Sequence, residues 1–153
     1  MVFLQDARSF VRCLAGAEES LAAEPVTACC FDHIVMNLPA SAVEFLDALS
    51  GAFSSELWRN RPLPLVHCYA FLRDDETEAA LRARVEAALG GDAGQEWGVV
   101  TVRDVAPHKT MVCVSFRVGD AVGRQEPEFV AAHDGGEASS KRPKLGNDTA
   151  QLI

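Results

Sequence analysis

The tripeptide Asn37-Leu38-Pro39 holds the side chain best suited to chemistry in this sequence. A primary amide offers two N–H donors and a carbonyl acceptor in one plane. That set can grip the edge of a planar nucleobase or steady a methyl donor. Pro39 restricts the backbone two residues on and leaves the amide in a fixed place. Asn is also a good helix N-cap, and spacing alone leaves that second use open.

Other polar side chains carry less. His33 and His67 read as core or edge histidines, because neither has a second ligand at metal-binding spacing. No metal site is expected. Glu44 reads as a solvated helix position, and Asp74, Asp75, Glu76 and Glu78 as an acidic helix start that suits the helix dipole. The cysteines are Cys13, Cys29, Cys30, Cys68 and Cys113, with no C-x-x-C spacing, so neither a zinc knuckle nor a dithiol motif is written here. Their odd number fits reduced thiols. Cys68 and Cys113 read as buried hydrophobes. Arg59, Arg61 and Arg103 are too scattered to make more than a weak basic patch.

For Asn37 to be aimed at a ligand, a strand must end before it and a helix begin after it. Residues 31–37 form a short apolar run of the kind found in buried parallel strands. Val43, Phe45, Leu46 and Leu49 then mark one face of a helix, with Gly51 as its stop. Upstream, residues 1–4 read as a strand stub. Asp6 reads as the N-cap of a helix that carries Phe10, Val11 and Leu14, fades near Ala22 and is ended by Pro25. Residues 59–64 read as a loop and 65–71 as the next strand. Asp74 or Asp75 is expected to cap a helix to about Leu89, with Leu81, Val85, Ala88 and Leu89 on one face and Gly90-Gly91 as the stop. Residues 98–105 and 110–118 read as an antiparallel hairpin across the turn at Pro107.

This alternation predicts an open α/β sheet. Ligands of such sheets bind beyond the carboxyl ends of the strands, where Asn37 would stand. No glycine-rich G-x-G-x-x-G turn follows a strand, so the chain looks like the second half of a doubly wound domain. After Val118 the pattern stops, and 119–153 read as a disordered tail rich in Gly, Ala, Ser and acids. The tail holds Lys141-Arg142-Pro143-Lys144, which resembles a short nuclear-import signal.

The 153 residues suffice for one domain. Hydrophobic residues at 48% and charged residues at 24% exclude disorder throughout, collagen and a disulfide scaffold. No run of apolar residues is long enough to span a membrane, and the first residues lack the basic and apolar regions of a signal peptide. The net charge of −8 argues against a self-sufficient nucleic-acid binder. Residues 1–118 carry 10 basic and 16 acidic groups, so most of the deficit lies in the segment expected to fold.

Three blocks carry a resemblance. Residues 31–46 read F-D-H-I-V-M-N-L-P-A-S-A-V-E-F-L, residues 64–71 read P-L-V-H-C-Y-A-F, and residues 103–117 read R-D-V-A-P-H-K-T-M-V-C-V-S-F-R. In this order they resemble the C-terminal half of the archaeal and eukaryotic tRNA (guanine-N1)-methyltransferases, over about residues 3–118. The resemblance implies the second half of a Rossmann-like methyltransferase sheet closed by an antiparallel hairpin. It implies transfer of a methyl group from S-adenosylmethionine to N1 of guanosine 37, beside the tRNA anticodon, as the first step toward wybutosine in phenylalanine tRNA. It places Asn37 at the active site near cofactor and target base, with Pro39 as its rigid neighbour. Asp6 matches the acidic residue of an Asp-Gly-Arg block at the adenine end of the cofactor, and Ala7 stands where the family usually has Gly. Its Cβ narrows that approach. Arg103, Pro107 and Lys109 match a turn block assigned to structure or tRNA backbone contact.

The family's general base, a Glu, and its charge-stabilising Arg have no match in this chain. Neither do its glycine-rich cofactor strand and its small tRNA-binding domain. The expectation is therefore a fragment that binds cofactor poorly and turns over nothing alone. The resemblance further implies a monomer, no membrane association, and placement in mitochondrial matrix, cytoplasm and nucleus. Two alternatives stay open: an aminocarboxypropyl transferase of wybutosine synthesis on the same fold, or a non-catalytic relic that acts as a binding module.

Overall fold

The computed structural model describes residues 6–19, 27–94 and 96–125. Within them, four strands form one mixed sheet: β1 (His33–Met36), β2 (Leu65–Arg73), β3 (Gly98–Ala106) and β4 (Lys109–Arg117), in the order β1-β2-β4-β3. β1 pairs in parallel with β2, His33 opposite Leu65 and Met36 opposite Cys68. β4 runs antiparallel to both its neighbours, so the hairpin closes the sheet by placing its second strand inside it. The expected α/β sheet with an antiparallel closing hairpin is the observed architecture.

Alternation along the strands explains the layers. Val66, Cys68 and Ala70 of β2 and Val112, Val114 and Phe116 of β4 are buried on one face. There they join Leu46, Leu49, Leu81, Val85 and Leu89 from the helices in a single core. Burying each side chain of this size contributes about 1.5–3 kcal/mol. The intervening residues point the other way, and on that side Val35 and Val100 are 66% and 65% exposed.

Three helices lie where expected, with altered ends. α1 (Ala7–Ala15) is capped by Asp6, whose Oδ2 accepts from the N–H groups of Arg8 and Ser9 at 3.1 and 3.2 Å. It stops at Gly16, which takes the left-handed conformation at φ 80°, rather than fading near Ala22. α2 (Glu78–Leu89) buries Leu81, Val85 and Leu89 and ends at Gly90, as expected. Its cap is Thr77, because β2 runs on to Arg73 and Asp74 and Asp75 are used in the turn out of it. The segment after Asn37 is a 3₁₀ helix, Ala42–Leu49, with Gly51 at φ 66° just beyond it. A second 3₁₀ turn, Glu56–Trp58, interrupts the region before the expected loop and buries Trp58. The Trp58 indole donates to Ala15 O at 2.9 Å and packs edge-on against Phe31 and Phe53.

The fold extends past the expected end of the pattern. α3 (Asp120–Gly123) buries Val122, and Arg124 reaches back to the carbonyls of Trp58 and Arg61 at 2.6 and 2.7 Å. The expected strand at 1–4, Pro25, the basic cluster at 141–144 and most of the expected tail lie outside the described residues.

Candidate functional site

Asn37 follows the last residue of β1, at the carboxyl end of a parallel strand pair. It is exposed, and among the described residues its amide makes no hydrogen bond. The alternative use as a helix cap is not realised: the cap of the following 3₁₀ helix is Ser41, with no side-chain bond to the backbone. The amide is therefore available to a ligand.

Beside β1 lies a cavity of about 420 Å³, walled by α1, β1 and the 3₁₀ helix. Asn37 and Ala7 both line it, so the structure brings together two residues that the sequence keeps 30 positions apart. Phe10, Leu14, Met36 and Phe45 make most of the wall apolar. Asp6 adjoins Ala7 and uses Oδ2 to cap α1. Arg8 also lines the cavity, but its guanidinium is committed. Nε donates to both Asp47 oxygens at 2.8 and 3.0 Å, Nη2 donates to Glu44 O, and the group lies 4.2 Å from the Phe45 ring centre. The Asp47 bond, ahead of the surrounding carboxylate charges, holds the Arg8 pKa above its ordinary value. Among the described residues no carboxylate lines this cavity.

Pro39 faces a second depression, separate from the one that Asn37 lines. Phe71 of β2, Pro107 of the β3–β4 turn and Lys109 at the start of β4 line it too, so all three sequence blocks converge there. Lys109 Nζ lies 3.9 Å from the Phe71 ring centre, a cation–π distance. His108, in the turn itself, takes φ 61° and pairs with Asp74 at 2.6 Å. The basic groups gathered here with Lys109 are Arg73 and Arg84. Arg59 pairs with Glu56, and Arg61 lines a third depression with Glu96 and Arg117. Arg73 could have been found from sequence, since it ends a strand on the side where ligands bind.

The two histidines have a relation that spacing did not show. His33 Nδ1 lies 3.1 Å from His67 Nε2, the rings stack, and His67 Nδ1 lies 2.9 Å from Ser115 Oγ. They form a hydrogen-bonded row across three strands, and no group of three or more potential metal ligands occurs among the described residues. Cys68 is buried, and that burial pushes its thiol up to about 12, which keeps it protonated. Cys113 is only half-buried, because it stands on the open face of β4. No helix of the described residues is long and apolar enough to cross a membrane.

No family model matches the chain. It is 43% identical over 112 residues to a tRNA (guanine(37)-N(1))-methyltransferase of Xenopus tropicalis, covering 73% of this chain and 22% of that protein. It is 40% identical over 108 residues to the protein of that name from Batrachochytrium dendrobatidis, covering 69% and 23%. A crystal structure of wild-type Trm5b from Pyrococcus abyssi aligns at a TM-score of 0.42 with 23% identity, covering 57% of this chain and 25% of that one. The chain thus spans less than a quarter of the length of these curated relatives. By its sequence it matches one segment of the tRNA (guanine(37)-N(1))-methyltransferases, the family that its three blocks resemble.

Proposed function

We propose that this chain is part of a tRNA methyltransferase that places a methyl group on N1 of guanosine 37, the first step toward wybutosine in phenylalanine tRNA. The observation that carries the reading is the Asn37 amide at the carboxyl end of β1, without a hydrogen bond among the described residues, on a cavity shared with Ala7. S-adenosylmethionine, when bound, supplies an electrophilic methyl group on a sulfonium centre. The residues present fit part of that molecule. The apolar wall and Asn37 suit a flat heterocycle and one polar edge, while Arg8 is already satisfied by Asp47 and Glu44.

The acceptor chemistry sets the remaining needs. Guanine N1 carries a proton, and its lone pair can attack carbon only once that proton leaves to a base within hydrogen-bond reach. Charge then gathers on O6 and needs a donor or a cation. Asn37 can hold the base edge in plane with its two N–H donors and one acceptor. It cannot take the proton, since a primary amide is not a base near neutral pH. Among the described residues no carboxylate lines this cavity, and this reading takes the base from the longer parent protein. Residues 1–153 alone are therefore expected to show no turnover. Placement of the parent in mitochondrial matrix, cytoplasm and nucleus, as a monomer, belongs to the same reading.

The test is Asn37→Ala in the full-length parent, assayed on a tRNA transcript carrying guanosine 37. Methyl transfer should fall by about 100-fold or more, the loss typical of one pre-organised donor, with the melting temperature held. Undiminished transfer would remove Asn37 from the site.

A further inference from the structure

Polar side chains along β4 are matched to partners, with one exception. Thr110 Oγ1 donates to Asp104 at 2.8 Å, Ser115 Oγ lies 2.9 Å from His67 Nδ1, and Arg117 is paired with Glu96. Lys109 instead stands directly opposite Arg73 of β2. Like charges facing each other across an antiparallel pair are destabilising. Both side chains are exposed, and neither forms an ion pair among the described residues.

Nearby carboxylates do not relieve this repulsion. Glu76 is held by Arg84 at 3.4 Å and Asp74 by His108 at 2.6 Å. Glu44 and Asp75 line the same depression, but neither forms an ion pair among the described residues. Lys109 Nζ finds only the face of the Phe71 ring. The His108–Asp74 bond ties the β3–β4 turn to the turn that leaves β2, and so keeps the two cations face to face.

We propose that Arg73 and Lys109 together form a binding site for an internucleotide phosphate of the RNA strand that carries the target base. The proposal rests on the methyltransferase reading for the identity of that strand. A phosphodiester spreads one negative charge over two unbridged oxygens. The planar Arg73 fork matches both oxygens, and Lys109 adds a point charge from the opposite strand. A bound anion between the cations replaces their repulsion with two attractions. The pair stands at the carboxyl end of β2, the end of an open α/β sheet where ligands bind. Pro39 lines the same depression two residues after Asn37, so an RNA strand whose base reaches the Asn37 amide passes beside the pair. The net charge of −8 opposes long-range attraction of RNA, so this contact acts locally.

The experiment measures binding of residues 1–153 to an RNA hairpin bearing the anticodon loop of phenylalanine tRNA, across a range of salt, beside the kinetics of the full-length parent. Arg73→Gln should weaken hairpin binding about tenfold and reduce the slope of log affinity against log salt by about 1. Lys109→Gln should act in the same way. Neither should lower the melting temperature, because each removes one of two facing like charges. Arg61→Gln, at a cation that lines a different depression, should bind as the unaltered chain does. In the parent, Arg73→Gln should raise the KM for tRNA more than it lowers kcat, and leave the KM for S-adenosylmethionine unchanged. Absent hairpin binding, binding indifferent to Arg73→Gln, or polyglutamate bound as tightly as RNA and with the same dependence on Arg73 would each overturn the proposal. Hairpin binding that depends on Arg73, in a parent that transfers no methyl group, would overturn the function reading alone.

Discussion

The two sides of the sheet are built to different standards. On the β2–β4–β3 side, two long antiparallel pairings bury Val112, Val114 and Phe116 against α2 and the 3₁₀ helix, and the outer strand is bulged and charged. On the β1 side, a four-residue strand meets a trough, and Asn37 has no hydrogen-bond partner among the described residues. Stability is concentrated in the first region, and unspent recognition chemistry in the second. A ligand site must keep polar groups unpaired until the ligand arrives, and the closed side supplies the free energy that makes this tolerable.

That contrast has measurable consequences. Phe116→Ala should cost about 3–5 kcal/mol in denaturant unfolding of this chain, the usual cost of emptying a fully buried aromatic site. A loss below about 1 kcal/mol would mean that β4 does not anchor the core. Asp6→Ala should cost about 1 kcal/mol by removing the cap of α1. Asp6→Asn keeps an acceptor and should restore most of that loss. If it does not, the Asp6 charge does more than cap. The smallest effect is expected at the exposed pair Glu96–Arg117. The Arg117 hydrogen bond holds the Glu96 carboxyl below its ordinary value. The associated stability is present above the ordinary carboxylate range and is lost as pH falls through the lowered value. Glu96→Gln should lower the melting temperature slightly at neutral pH, leave it unchanged at strongly acid pH, and so flatten the acid limb of melting temperature against pH.

Much of this contrast could be read from residue types. Gly90 and Gly51 end their helical segments because each adopts a positive φ that other residues rarely tolerate. The apolar runs located all four strands to within a few residues, since burial on the core face dictates them. Asp6 as a cap followed from its place before an apolar helical face. Most of the misses share a cause, which is dependence on distant partners. The early end of α1 is the local exception: Gly16 stops it with a positive φ, and its N–H bonds Cys13 O. Thr77 becomes the α2 cap only because β2 extends to Arg73 by pairing with Lys109. Residues 120–124 looked like tail because their composition is polar, yet Arg124 finds two carbonyls more than 60 residues away. The shared cavity of Ala7 and Asn37 is long-range in the same sense, whereas the place of Asn37 at a strand end was local.

The position of β4 gives the fold an order in time. It is the last of the described strands to leave the ribosome, yet β2 and β3 both pair with it rather than with each other. Synthesis proceeds from the N-terminus at about 5–20 residues per second. Until residue 117 has emerged, β2 has no antiparallel neighbour and β3 has none at all. The nascent chain therefore spends that interval with apolar strands unshielded, and the sheet of the described residues cannot be completed before β4 has emerged.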